Sequence, residues 1–219
     1  MLQANVLIQW MEAGGPIMWP ILICALVAVA VVGERVFWWS REARRRQPQV
    51  LEQVLAALDN GDVPEAVRLS QGSPDPVVRM AHHGLSQRRA TLTGALQLAA
   101  GAELQKGGRF LGVLDTLITL APLLGLLGTV SGIFRTFLSL GNASVEGATS
   151  QITGGIGEAL IATMCGLGIA ILALIPYNYF NTRLARLQYD LESAATSIEV
   201  LLGGQAQPPG RNRGPQEPA

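Results

Sequence analysis

Glu158 is a carboxylate at the start of a long uncharged stretch. Residues 159–176 contain no charged side chain. Together with Glu158 and the glycines before it, they are long enough for a helix that crosses a hydrocarbon layer, which takes about 20 residues. A carboxylate inside such a helix costs on the order of 2.5–3.5 kcal/mol on insertion scales unless it faces protein or water. Glu158 therefore fits either a place on an ion path or a hydrogen bond that only fixes helix packing, and this helix alone does not decide between them.

Two threonines extend this polar set across neighbouring apolar stretches. Thr129 and Thr163 stand at similar distances before and after Val145, in the link between the stretches. At a rise of about 1.5 Å per residue, a helical hairpin places both hydroxyls within about one turn of the same depth, with Glu158 about a turn and a half nearer the link. Glu158 and Thr163 are about 140° apart on a helical wheel. We therefore expect a short polar ladder in which one side chain faces a pore and the other a seam between subunits.

Small residues recur at helical spacing on both helices of the expected hairpin. Such stripes allow helix backbones to approach closely in lipid. On the third apolar stretch the predicted packing residues are Gly155, Ala159, Ala162 and Gly166, and on the second stretch the pore-shaping glycines are Gly125, Gly128 and Gly132. Pro122 lies one-third of the way into the second stretch and predicts a helix break, because proline leaves a backbone carbonyl without its donor.

Composition restricts the class of protein. The 219 residues are 49% hydrophobic and only 15% charged, which is typical of a membrane protein with a polar part, and the net charge of zero gives no reason to expect nucleic acid as a partner. Cys24 and Cys165 both lie in apolar runs, so neither a disulfide framework nor a metal site is expected. No nucleotide-binding motif and no cluster of nucleophile, base and orienting group is present, so we expect no cofactor and no enzyme.

The fold class predicted is all-α, with three transmembrane helices and long cytoplasmic helical extensions. The distribution of basic residues places the N-terminus and the link outside and the loop and tail in the cytoplasm, because Arg35 and Arg41–Arg46 follow the first span and Arg183 and Arg186 follow the third. The predicted segments are a periplasmic interfacial segment (1–12), transmembrane helix 1 (13–39), a cytoplasmic helical domain (40–111), transmembrane helix 2 (112–139), a periplasmic link (140–150), transmembrane helix 3 (151–180), a cytoplasmic helix (181–203) and a disordered tail (204–219).

Three local features carry further expectations. Asp62 with Glu65 three residues later has the pattern of a capping box. Residues 91–111 have helical periodicity and predict one continuous helix that runs into the second span, with Gly107 and Gly108 as a possible bend. Arg135 lies against the charge pattern near the outer end of the second span, where it can extend to the interface or pair with Glu146.

The two hairpin helices resemble a known family. APLLGLLGTVSGI (121–133) followed by GGIGEALIATMCGLGIAI (154–171) is similar to the MotA/TolQ/ExbB proton-channel family, nearest to its ExbB and TolQ branch. The resemblance implies that Thr129 and Thr163 are pore threonines, Glu158 a pore glutamate and Pro122 a helix-breaking proline. Ser131 stands where ExbB and TolQ have Trp, and Gly154 where they have Pro. The motifs therefore do not select one system within the family.

The same resemblance implies an assembly and a mechanism. A pentamer of this chain would surround a pore in the bacterial inner membrane that holds helices of an ExbD/TolR-like single-span partner with an intramembrane Asp, and a TonB/TolA-like transducer can complete the system. Proton motive force would then drive work on the cell envelope. Two alternatives stay open: a non-conducting membrane scaffold in which Glu158 is only structural, and a sodium-driven motor subunit.

Overall fold

The computed structural model describes residues 14–87, 91–140 and 145–206, and the side chains of 139–151 and 204–206 are left aside. The predicted interfacial segment 1–12 lies outside these residues, as does the predicted tail from residue 207 onward. Every described element is an α-helix. The helices are α1 (Met18–Ala43), α2 (Pro48–Asp59), α3 (Val63–Ser70), α4 (Pro76–Ser86), α5 (Leu92–Gly108), α6 (Leu111–Leu140) and α7 (Val145–Ala206).

Within the described residues, three helices are long and apolar enough to cross a membrane. These stretches are Met18–Ala43, Leu111–Leu138 and Ile152–Gly203, and each carries an 18-residue window with a mean hydropathy between 2.0 and 2.3. At about 1.5 Å per residue, each exceeds the 30 Å of a hydrocarbon core. The all-helical fold with three candidate spans is therefore confirmed. Helix α7 begins at Val145, inside the segment predicted as a link, and continues without interruption through both the predicted span and the predicted cytoplasmic helix.

The chain breaks between α5 and α6, where the sequence predicts one continuous helix. Helix α5 ends at Gly108, and α6 begins at Leu111. Between them Phe110 has φ 63°, a left-handed conformation that cannot continue a right-handed helix. The prediction of an unbroken helix over 91–111 is therefore wrong. Gly107 and Gly108 predicted a bend in this region, but they gave no indication that Phe110 would take the left-handed conformation.

The described chain divides into two compact units. The membrane unit comprises 14–38 and Arg109–Thr182, and the polar unit comprises Trp39–Gly108 and 183–206. The polar unit has its own apolar core, in which Leu58, Met80, Leu96, Leu191 and Ile198 are fully buried. In the same unit Asp62 begins α3 as predicted, because its carboxylate accepts a hydrogen bond from the Glu65 amide at 3.0 Å. The Glu65 carboxylate instead binds Arg68, so the second half of the expected capping box is missing.

A charged cluster stabilises the polar unit. Arg79 donates to Glu103 at 2.6 Å and to Glu42 at 3.0 Å, and Lys106 donates to Glu103 at 2.8 Å. Burial alone raises the pKa of the Glu103 carboxyl, but the hydrogen bonds and charges of Arg79 and Lys106 outweigh it and hold the pKa below its usual 4.5. The stability that Glu103 contributes is therefore present above about pH 4.5 and is lost as the pH falls through the lowered pKa of the folded state.

We expect Glu103→Gln to lower the free energy of unfolding of the polar unit at pH 7 by about 1–3 kcal/mol, because a buried charged hydrogen bond is lost. The variant should also lose stability less steeply than the wild type as the pH falls below 4.5. Thermal unfolding of the full chain in detergent at several pH values measures both effects. Glu65→Gln is the matched control, since its carboxylate pairs with Arg68 at the surface, and an equal pH slope for wild type and Glu103→Gln would contradict the prediction.

The membrane unit is packed with small side chains at its centre. One buried cluster contains Cys24, Ala28 and Ala173 together with two leucines of α6, and a second contains Met18, Ile21 and Ala162. Large apolar side chains instead point outward from all three helices, among them Ile23, Leu26, Leu123, Phe134, Leu160 and Leu172. Small side chains inside and large apolar side chains outside are the reverse of the arrangement in a water-soluble protein. They suit a surface that faces lipid or other apolar helices rather than water.

Candidate functional site

Close contact between α6 and α7 organises the candidate site. A Cβ added to Gly125 would lie 3.0 Å from the Thr163 Cα, and one added to Gly128 would lie 2.6 Å from the Ala162 Cβ. A Cβ on Gly166 would run into the backbone of Ala121, with the carbonyl carbon 3.2 Å away. The two backbones approach this closely only because these positions have no side chain.

The same seam continues toward the link. A Cβ on Gly132 would lie 3.1 Å from the Ala159 Cβ, and one on Gly155 would collide with the side chain of Thr136. Thr136 is 8% exposed, and its hydroxyl donates to the Gly132 carbonyl at 2.8 Å. The sequence reasoning did not select Thr136, although it stands four residues after Gly132 on the glycine face. All seven predicted small residues of the two helices therefore lie in the same interface between α6 and α7, which is within one chain.

The two predicted threonines lie about one helical turn apart, and the Thr163 hydroxyl lies at the seam. The Thr163 hydroxyl donates across to the Gly125 carbonyl at 2.9 Å and lies 3.4 Å from the Ala159 carbonyl. The Thr129 hydroxyl donates to the Leu126 carbonyl of its own helix at 2.7 Å, and Thr129 stands four residues beyond Gly125, or about 6 Å along the helix. Both side chains are partly exposed. Thr163 thus faces the seam between α6 and α7 and keeps its oxygen lone pairs available.

Glu158 is paired with Arg135. The Arg135 guanidinium donates through Nη2 to the Glu158 Oε1 atom, and the two side chains are 46% and 28% exposed. Arg135 comes from α6 and Glu158 from α7, so the ion pair bridges the hairpin on the link side of both threonines. The sequence predicted that Arg135 extends to the interface or pairs with Glu146, and the Glu146 side chain lies outside the described ones. The pairing with Glu158 was not predicted, because it depends on the register that the close contact between the two helices sets.

A third segment lies beside this ion pair. Gly15, just before α1, has φ +69°, and a Cβ there would collide with the Glu158 carboxylate and lie 3.0 Å from Nη2 of Arg135. A Cβ on the neighbouring Gly14 would collide with the Met18 side chain and lie 3.3 Å from the Cγ2 atom of Ile161. The left-handed backbone of Gly15 favours glycine at this turn, and a larger residue there would also displace the Glu158 carboxylate. The turn before α1 packs directly against the charged end of the hairpin.

Pro122 does not interrupt α6. The helix is continuous from Leu111 to Leu140 with this proline inside it, so the predicted helix break is not seen in the backbone. Proline still removes the amide that would donate to the carbonyl of Ile118 one turn earlier. At this position the proline leaves the Ile118 carbonyl without its usual amide donor and does not change the helix.

Comparison with known proteins assigns the hairpin to a family. The model of the "MotA/TolQ/ExbB proton channel family" matches residues 73–193. The chain is 36% identical over 194 residues to a putative biopolymer transport protein, ExbB-like 3, of Synechocystis, covering 86% of this chain and 91% of that protein. It is 39% identical over 82 residues to the biopolymer transport protein ExbB of Neisseria gonorrhoeae, covering 37% of each. It is 33% identical over 112 residues to the Tol-Pal system protein TolQ of Haemophilus influenzae, covering 51% of this chain and 49% of that protein.

Proposed function

This chain belongs to the MotA/TolQ/ExbB proton channel family, and we propose that it is the channel subunit of an ion-driven motor in a bacterial inner membrane. Membership in the family and the three apolar helices make it a membrane protein with a role in energy transduction. The motor would couple proton motive force to work on the cell envelope. A potential of 100 mV supplies about 2.3 kcal/mol for each charge that crosses, which is enough to drive a small conformational step.

The observation that carries this proposal is the polar seam of the hairpin. Thr129, Thr163 and Glu158 belong to two helices whose exposed large side chains are mostly apolar, and close backbone contact holds these helices together. We propose that these three residues border the ion path. The hydroxyl oxygens can accept a proton or coordinate a cation, and Glu158 with its counter-charge sets the potential at the outer mouth of the path.

The assembly proposed is a pentamer around helices of a single-span partner. Apolar side chains cover the outward faces of α1, α6 and α7, so copies of the chain can associate through them within the bilayer. The partner would resemble ExbD or TolR and carry one intramembrane Asp, whose protonation and release drive the motor. A TonB- or TolA-like protein would transmit the work.

The orientation proposed follows the basic residues. Residues 14–33 contain no Lys or Arg, whereas Arg41, Arg44, Arg45 and Arg46 cluster at the end of α1. Because basic residues are retained on the cytoplasmic side, the turn before α1 and the link between α6 and α7 would face the periplasm. The Arg135–Glu158 pair then lies toward the periplasmic end of the hairpin.

Thr163→Val tests the role of the hydroxyl in the path. Valine keeps the shape of threonine but removes the oxygen, so we expect proton flux to fall roughly tenfold, equivalent to about 1.4 kcal/mol, which is the scale of one lost hydrogen bond. The measurement is proton uptake, reported by a pH-sensitive dye, into vesicles that contain the full chain and its copurified single-span partner.

Thr116→Val is the matched control for this substitution. Thr116 lies on α6, is exposed, and donates only to the Gly112 carbonyl of its own helix at 2.9 Å. We expect this variant to conduct like the wild type. Equal measurable flux in Thr163→Val, Thr116→Val and wild type would contradict the role of the Thr163 hydroxyl. The absence of flux in all three, with assembly intact, would instead favour the non-conducting scaffold.

A further inference from the structure

We propose that Arg135 is a positioning residue that keeps Glu158 ionised and fixed to α6, so that Glu158 does not itself take up and release the transported proton. The proposal rests on the proposed function, because its significance depends on Glu158 standing beside the ion path. It goes beyond that function in assigning a role to Arg135 and in limiting the role of Glu158 to that of a fixed charge.

The geometry of the pair fixes Glu158 to α6. A guanidinium nitrogen of Arg135 donates directly to the Glu158 carboxylate. Arginine stays protonated at every physiological pH, and a guanidinium close to a carboxylate favours the charged form of that carboxylate. A protonated Glu158 would leave a guanidinium in an apolar segment without its counter-charge, which is costly.

Among the described side chains of the membrane unit, no other charge lies near the pair. On α6 the other charged side chain is Asp115, twenty residues or about 30 Å along the helix from Arg135. On α7 Glu158 is the only carboxylate between residues 152 and 182, and residues 14–33 contribute no ionisable group except the Cys24 thiol. Arg135 therefore has one carboxylate available at its level of the described membrane unit, and Glu158 has one cation.

The turn before α1 lies beside the pair. A Cβ at Gly15 would collide with the Glu158 carboxylate and lie 3.0 Å from Nη2 of Arg135. The Glu158 carboxylate therefore lies between α6 and this turn. A carboxylate that shuttles a proton needs access to a donor and an acceptor in turn, and the Arg135 guanidinium that pairs with Glu158 offers no acceptor.

Labelling with dicyclohexylcarbodiimide, a lipid-soluble reagent that modifies protonated carboxyl groups within membranes, tests the proposal on the full chain in vesicles. Mass spectrometry reads the modified fraction of Glu158 between pH 6 and 8. We expect little labelling in the wild type and in Arg135→Lys, which keeps the positive charge. In Arg135→Gln the labelled fraction should rise roughly tenfold or more, because a carboxyl in an apolar segment without a counter-charge becomes neutral.

Extensive labelling of Glu158 in the wild type would overturn the proposal, as would equal labelling in Arg135→Gln and Arg135→Lys. If Arg135→Gln does not fold, the infrared absorption of protonated carboxyls in the wild type replaces the labelling of that variant. A carboxyl band near neutral pH that is present in the wild type and absent in Glu158→Gln would overturn the proposal. The absence of this band in the wild type would support the proposal. Neither readout requires ion flux, so a chain that fails to conduct but shows the expected labelling would refute the proposed function and leave this inference standing.

Discussion

Gly166→Val should lower the melting temperature of the protein in detergent by about 6–12 °C, because overpacking a tight contact costs up to about 3 kcal/mol and each kcal/mol corresponds to about 2–4 °C in a protein of this size. The new side chain would meet the backbone of Ala121 and the Cα of Gly125. These are main-chain atoms that cannot rotate away, so α6 and α7 must separate. Thermal unfolding of the full chain in detergent measures the effect.

Gly168→Val provides the matched control for Gly166→Val. Both glycines lie on α7, and both substitutions impose the same β-branched penalty on the helix. A Cβ at Gly168, however, meets no atom within 4 Å. We expect Gly168→Val to melt close to the wild type. An equal loss of stability in the two variants would mean that helix propensity, and not the contact between α6 and α7, explains the effect.

Glu158→Ala should reduce proton flux by roughly 30- to 100-fold. The substitution leaves the Arg135 guanidinium without its partner at the mouth of the path. A unit charge about 8 Å from a passing cation, at an effective dielectric constant near 20, repels it by about 2 kcal/mol. Flux into vesicles with the copurified partner measures the effect.

The double variant Arg135→Gln with Glu158→Gln separates charge balance from a direct role in proton transfer. Removing both charges eliminates the unpaired guanidinium, so we expect flux to recover to within roughly tenfold of the wild type, a remaining barrier of about 1.4 kcal/mol at most. If the double variant conducts as poorly as Glu158→Ala although it assembles, Glu158 itself carries the proton and the positioning role of Arg135 is wrong.

The close contact between α6 and α7 could be predicted from the sequence, because it depends on the residue spacing within each helix. Glycine and alanine recur every three to four residues on both helices, so one face of each helix is smooth, and lipid gives no reason to keep such faces apart. The family was recognisable for the same local reason. The motifs around Thr129 and Glu158 consist of the small residues on that smooth face and the polar residues next to them.

Other features depend on information that no short stretch contains. The left-handed Phe110 ends one helix and starts another, but nothing in its side chain favours that conformation. The pairing of Arg135 with Glu158 needs the register of α6 against α7, and the covering turn at Gly15 needs the position of α1 beside both. Contacts among three helices follow from packing as a whole, and periodicity within each helix does not specify them.

The central claim is that the seam between α6 and α7 borders a proton path in an assembled complex. Its most direct test is proton uptake into vesicles that contain the full chain and its copurified single-span partner, under an imposed potential that is negative inside. We predict uptake that requires both proteins, persists when sodium is replaced by choline, and disappears in Gly166→Val but not in Gly168→Val. An assembled wild-type complex that takes up no protons, or one that conducts only when sodium is present, would contradict the claim.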